Sequence, residues 1–243
     1  MERISLTSVA ASFLAASWLC ASPSGSAQTF LGPTPYLSKA DSPFAASIAA
    51  GTTFLETFES GALITPGVTI SAGAGVIGPS SITDSVDADD GAIDGSGTGG
   101  HSLFNPSGAT GITFTFDASV LGHLPTQVGI VWTDGAGTTL FEAFGPGGVP
   151  LGSIGPVAIA DGSFNGTTAE DRFFGVINAG GISSIRISNT SGGIEVDHLQ
   201  YGIFGAAPAP AAPIPAVSPG ALLLLAVLVI VGAGFSIRRV RGS

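Results

Sequence analysis

Five aspartates fall within eleven residues of this chain, at Asp84, Asp87, Asp89, Asp90 and Asp94, on a stretch rich in glycine. Hard cations such as Ca²⁺ take six to eight oxygen ligands from carboxylates, carbonyls and water, so such a loop is a candidate cation site. Its expected ligands are Asp87, Asp89, Asp90 and Asp94. The spacing is not that of an EF-hand. With Gly91 at the sixth position, Val86 stands at the first and Ala88 at the third. The competing expectation is a solvated loop whose aspartates make turns and caps. A second calcium set would join Glu56 or Glu59 to Asp197, tying the first strand of the domain to the last in a structural role. Calcium is the only cofactor these residues suggest.

Other chemistries find less support. His101, His123 and His198 are scattered, with no pair at a spacing that suits zinc. The run from Gly95 to Ser102 lacks the lysine of a phosphate loop and the strand-to-helix setting of a nucleophile elbow. Cys20 is the only cysteine and lies near the start of the chain, which leaves no thiol for the domain that follows. A glycosidase carboxylate pair could be drawn from Glu56, Glu142, Glu170 or Glu195, but nothing in the sequence sets the separation that such a pair needs. No serine is marked as activated. The chain therefore reads as a non-enzyme. Trp132 sits in the most apolar run and is expected in the core, whereas Tyr201, at the end of the last strand, is expected to be more open.

The charge balance narrows the partners. Between Gln28 and Gly205, Lys39, Arg172 and Arg186 face sixteen carboxylates. A phosphate backbone needs Lys and Arg, so nucleic acid is excluded as a partner. Neutral glycans and cations remain compatible.

The elements that must carry these residues read as strands. Charged residues make up 10% of a chain with 37 glycines and 16 prolines, which favours an all-β domain. Ile112, Phe114 and Phe116 alternate with Thr113, Thr115 and Asp117, the pattern of a half-buried strand. Further strands are expected at 53–59, 68–72, 127–133, 138–144, 149–154, 173–178, 182–188 and 193–201. Asp134-Gly135-Ala136-Gly137 reads as a hairpin turn between two of them. Turns recur about every ten residues, which favours an antiparallel β-sandwich of the jelly-roll kind over 53–204. An irregular lead-in, 28–52, precedes it.

Both ends read as addresses. Residues 1–27 have one early arginine, an apolar stretch and small residues before Gln28, the layout of a secretory signal peptide. An Ala/Pro linker, 205–213, leads to a tail at 214–243. The tail joins Ile214, Pro215, Ala216, Val217 and Ser218 to a seventeen-residue apolar run, 221–237, and then to Arg238 and Arg239. As a helix the run would measure about 26 Å, enough for a single transmembrane span with its basic end in the cytoplasm.

This three-part tail resembles the exosortase-type sorting signals of exported Gram-negative proteins, the PEP-CTERM group and its IPTL-CTERM relatives. Ile214 to Ser218 resembles the Ile-Pro-Thr-Leu-Ser start of the second type, although the Glu of Pro-Glu-Pro and a Trp before Gly220 are absent. The resemblance implies a membrane-embedded sorting protease-transpeptidase as partner, transient anchoring in the inner membrane, and cargo linked to exopolysaccharide at the cell surface. Residues 35–44 and 193–202 are similar to segments of exported proteins that bear such tails. The run Ile194-Glu195-Val196-Asp197-His198-Leu199 resembles the final strand of jelly-roll carbohydrate-binding modules. The leading expectation is an exported, non-enzymatic β-sandwich of the polysaccharide matrix or of adhesion. A glycan-active hydrolase and a structural surface-layer subunit are the alternatives. A reporter fused to residues 206–243 should be cleaved near Pro215 in a host with the sorting enzyme, and immunoblotting that finds only the uncleaved fusion would sink this expectation.

Overall fold

The computed structural model describes residues 28–204, where the chain is mostly antiparallel β-sheet with a few short helical turns. The expected leader (1–27), linker (205–213) and sorting tail with its apolar run (214–243) lie outside the described residues. Among the described residues no helix is long and apolar enough to cross a membrane.

Ten strands follow the apolar runs of the sequence: β1 (Thr29–Pro35), β2 (Thr53–Glu56), β3 (Val68–Ile70), β4 (Gly75–Ile77), β5 (Ser102–Asn105), β6 (Ile112–Phe116), β7 (Gln127–Phe144), β8 (Pro150–Val157), β9 (Arg172–Ile177) and β10 (Ser184–Gly202). In β6 the predicted alternation holds, with Ile112, Phe114 and Phe116 buried and the threonines between them turned outward.

β7 and β10 depart from the expected pattern. The sequence led us to expect four strands separated by turns, and the structure has two strands of 18 and 19 residues, paired antiparallel along their length. The glycine-rich stretches are bulged bends within them, not hairpins. At the bend Gly137 has φ +79° and lies against Thr190, and Gly135 lies against the Asn189 side chain, where a Cβ would have no room. Asn189 fixes the bend. Its carbonyl oxygen accepts from Trp132 Nε1 and Thr139 Oγ1, both at 3.1 Å, and its amide donates to the Gly193 carbonyl at 3.1 Å.

The bends make the sheet sandwich-like. The second half of β7 and the first half of β10 form one layer with β8, β6 and β3. The other halves form a second layer with β1, β9, β2, β5 and β4. Phe114, Phe141, Ile185 and Ile187 from the first layer meet Val128, Ile130, Trp132, Phe174 and Val196 from the second in one buried cluster. Each such side chain contributes about 1.5–3 kcal/mol through burial.

The second layer is also covered on its outer face. Tyr36, Phe44 and Val86 pack there on Val131 and Phe173. Tyr36 stacks on Phe173 with ring centres 6.1 Å apart, and Phe44 meets the same ring edge-on at 5.6 Å. Two covered faces explain why Val128 to Trp132 reads as continuously apolar. The 28–52 segment, expected to be irregular, thus contains β1 paired with β9, a capped 3₁₀ turn (Lys39–Asp41) and helix α1 (Ala45–Ala49). Phe173 fastens this covering to the sheet. Phe173→Ala should cost about 3–5 kcal/mol in denaturant unfolding, and a loss near zero would mean that the covering is not part of the folded unit.

Candidate functional site

The alternation that sends Ile194 and Val196 into the main core sends Glu195 and Asp197 to the outer face of β10. Residues in register extend two rows across the sheet. Asp197 lies opposite Val131, and Val131 opposite Phe173. One step on, Glu195 lies opposite Asp134, with Thr133 as the extra residue of a bulge, and Asp171 immediately precedes β9. The acidic loop runs beside these rows. Asp84 N–H donates to Glu195 Oε1 at 2.7 Å, and Val86 N–H donates to Asp197 Oδ2 at 3.0 Å. The Ser102 hydroxyl also donates to Glu195 Oε1. A second loop covers the first, with Gly97 N–H bonded to the Gly166 carbonyl at 2.9 Å. Gly97 lies so close to Ser85 and Asp84 that a Cβ would collide with both. Asp84, Glu170, Asp171, Glu195 and Asp197 are each at most 4% exposed.

The residues expected to bind calcium are dispersed. Asp87 accepts from the backbone of Asp94 and Gly95 and from the Thr168 hydroxyl. Asp90 and Asp94 are exposed, and Asp90 makes a local turn with Ala92. Asp89 bonds to His198. The set of Asp87, Asp89, Asp90 and Asp94 is therefore not gathered around one point, because each carboxylate turns to a different partner or to solvent. The second set is not gathered either. Glu56 accepts three backbone N–H groups, from Phe58, Ile64 and Thr65, and Glu59 accepts from the His101 backbone and meets its ring. Asp197 turns instead to the loop at Val86.

His198 is the surprise of β10. It is buried with φ +45°, a backbone conformation uncommon outside glycine and often found at functional positions. Its Nδ1 lies 2.9 Å from the Tyr36 hydroxyl and its Nε2 2.9 Å from Asp89. Gln200 Nε2 donates to Tyr36 at 3.1 Å, and the Ser42 hydroxyl donates to Gln200 at 2.5 Å. Asp89, Asp197 and His198 offer three ligand atoms within 4.8 Å of one another, the single such group among the described residues. All of these atoms already have hydrogen-bond partners. The group works as a clip that holds the lead-in and the acidic loop on β10. Burial, followed by Asp197, keeps the Tyr36 phenol protonated.

The neighbouring group is different. Both carboxylate oxygens of Asp84, both of Asp171, Glu170 Oε2 and Thr133 Oγ1 are buried without a hydrogen-bond partner. Burial, then Glu170 and Glu195, push the Asp84 carboxyl up to about 9. Burial, then Asp84 and Glu170, hold Asp171 well above the carboxylate range. Glu195 is raised by burial to about 7, against the bonds from Ser102 and the Asp84 backbone. The loop density drew attention to Asp87, Asp89, Asp90 and Asp94, of which Asp90 and Asp94 face solvent while Asp87 and Asp89 are paired inside. The orphaned oxygens come from three separate segments, at Asp84, Thr133 and Glu170–Asp171, and of these residues only Glu170 stood among the candidate carboxylates.

Beside this acidic centre opens a cleft of about 700 Å³, lined by Ile77, Ile82, Phe104 and Phe164 with Asp134 and Glu195. Ile82 and Phe164 are largely exposed. Burial raises Asp134 to about 6. Asp134 was not foreseen, because its stretch read as a turn. Tyr201, expected to be open, is fully buried and donates to the Pro66 carbonyl at 2.5 Å. Trp132 is in the core.

Fold and site together define an all-β, sandwich-like domain with a buried acidic centre beside an apolar cleft. Comparison of the chain with protein-family models, curated proteins and solved structures gives no match in any of the three.

A carboxyl whose folded pKa is raised binds its proton more tightly in the folded state. Its contribution is most favourable below the ordinary carboxylate range and is lost as pH rises towards the folded value. The groups facing Asp84 are Glu170, Glu195, Asp134 and Asp161, all acidic. In chelator, the melting temperature should therefore fall between about pH 5 and about pH 9. A melting temperature that climbs across this window would mean that these carboxylates are not buried as uncompensated acids.

Proposed function

We propose that this chain is an exported, non-enzymatic β-sandwich, jelly-roll-like in topology, that binds glycan in the extracellular polysaccharide matrix or in adhesion. The observation that carries this reading is the cleft. Half-buried Phe104 and exposed Phe164 offer flat rings to the apolar faces of sugars, and Asp134 offers an acceptor to hydroxyl groups. The surplus of carboxylates in the domain favours neutral over anionic chains. Residues 1–27 would export the chain. The tail at 214–243 would hold it in the inner membrane until a membrane-embedded protease-transpeptidase cuts near Pro215, leaving the domain at the surface or released.

One observation favours a glycan hydrolase as the second reading. Asp134 and Glu195 stand directly opposite each other on β7 and β10, in one cleft, as a pair of carboxylates would in such an enzyme. Binding leads because Glu195 Oε1 already accepts from Ser102 and the Asp84 backbone, and the residue is nearly sealed from solvent.

The test is a panel of neutral gluco-, manno- and galacto-configured oligosaccharides, followed by calorimetry and by product analysis. Binding should be found and should weaken about tenfold or more in Phe164→Ala, as expected when about 1–2 kcal/mol of ring stacking is lost. No binding across the panel would overturn the proposal. Cleaved products that disappear in Asp134→Asn would establish the hydrolase.

A further inference from the structure

We propose that the cleft lined by Asp134, Phe104 and Phe164 takes glycans that carry free amino groups, with the ammonium at Asp134 and the sugar ring against the two phenylalanines. This inference rests on the glycan reading of the cleft and names the class of sugar.

Asp134 is the carboxylate of the cleft that can meet a ligand. It is half-buried at the bulge of β7, and its Oδ1 accepts from the Gly135 N–H at 2.5 Å. Among the described residues its Oδ2 has no hydrogen-bond partner. Glu195 lines the same cleft but is only 3% exposed, and its Oε1 is taken by Ser102 and the Asp84 backbone.

The charges around Asp134 are of one sign. Asp161 acts on it as a near charge, and Asp134 in turn acts on Asp84, Glu170 and Glu195. Among the described residues none of these five acids forms an ion pair with a lysine or arginine. Arg186 is bound to Glu142, and Arg172 donates to the main-chain carbonyls of Ala169 and Asp171. The cleft therefore carries a negative field without a counter-charge, and its apolar walls concentrate that field. An anionic sugar is repelled, a neutral one leaves the field uncompensated, and a cation is drawn in.

The walls select the kind of cation. The cleft of about 700 Å³ is lined by Ile77, Ile82, Phe104 and Phe164 around the one open carboxylate. A metal ion such as Ca²⁺ needs several oxygen ligands, which these walls do not supply. An organic ammonium needs one carboxylate and an apolar surface, and aromatic faces attract it as well. An amino sugar offers all the matching parts: a ring with an apolar face, hydroxyl groups and an ammonium on a ring carbon. A lysine side chain reaches a carboxylate too, but it presents no flat face to two phenylalanine rings.

The experiment measures binding by calorimetry to the full-length chain in mild detergent. The probes are a glucosamine oligosaccharide with free amines, its fully N-acetylated counterpart of the same length and linkage, and an oligolysine peptide. At about pH 7 most of Asp134, raised to about 6, is ionised. An amine like an α-amino group, at about 7.7–8.0, keeps its proton there. The free-amine sugar should bind about tenfold more tightly than the acetylated one, as a charge-assisted hydrogen bond allows. This preference should shrink as salt rises from about 0.05 M to about 0.5 M. Asp134→Asn keeps an acceptor oxygen and loses the charge, so it should bring the two sugars to similar affinity. If Asp134→Asn does not fold, Asp161→Asn, at an exposed position, should reduce the preference, and the salt series on the wild type makes the same comparison. Equal binding of the two sugars, or tighter binding of the acetylated one, overturns this inference and leaves the glycan reading standing. So does a preference that persists in Asp134→Asn or that salt leaves unchanged. Binding of neither sugar overturns both. Oligolysine that binds as tightly as the free-amine sugar overturns the glycan class in favour of a basic peptide.

Discussion

The continuous pairing of β7 with β10 is the constraint on which the rest of the domain depends. Ser184 to Gly202 runs against Gln127 to Phe144, and every other strand attaches directly or indirectly to this pair. Both strands bend at the same level, where Gly135 and Gly137 leave room for Asn189 and Thr190. The bend folds one sheet over itself and encloses the main core. It also sets Thr133, Asp134 and Glu195 at the bulge, so the irregularity that closes the sandwich also places the acids. Bulges often stand next to sites for this reason, since they re-aim side chains that a regular ladder would space evenly.

The outer face of the second layer divides into two halves with opposite chemistry. Tyr36, Phe44, Val86, Val131 and Phe173 form a small apolar patch. Next to it the Asp89–His198–Tyr36–Gln200–Ser42 chain is polar but fully paired. Asp84, Thr133, Glu170 and Asp171 are polar and unpaired. Natural proteins pair nearly all buried polar atoms, so the contrast between these neighbours is informative. A chain able to satisfy every polar side chain around His198 leaves the oxygens of Asp84 and Asp171 orphaned, and the raised carboxyls of these two residues express the same imbalance in electrostatic form.

Much of the sandwich was legible in the residues. Alternation in 112–116 gave β6, apolar runs gave β8 and β9, and the scarcity of charge gave the all-β class. The two long strands were not, because glycine-rich stretches such as 134–137 and 190–193 carry the same local signals whether they turn back as hairpins or bend within a strand. The lead-in was misread for a related reason. The sequence Thr-Phe-Leu-Gly-Pro-Thr-Pro is weak as a strand by itself and becomes one through pairing with β9. The density of aspartates in 84–94 marked a loop that lies against β10, but spacing did not say which of its carboxylates would be paired and which exposed.

What the sequence determined by itself was therefore the class of structure and its charge: periodicity two, many turns, and three cations against sixteen carboxylates in the domain. These are local or summed properties and survive without contacts. Only the tertiary structure decided which carboxylates meet, which are paired and which are orphaned. Asp84, Thr133, Glu170 and Glu195 lie tens of residues apart from one another, and nothing local distinguishes Asp84 from Asp94. Burial is what separates them. One carboxylate lies under a second loop against the sheet and the other faces water, and the free energy of a charge depends on that difference.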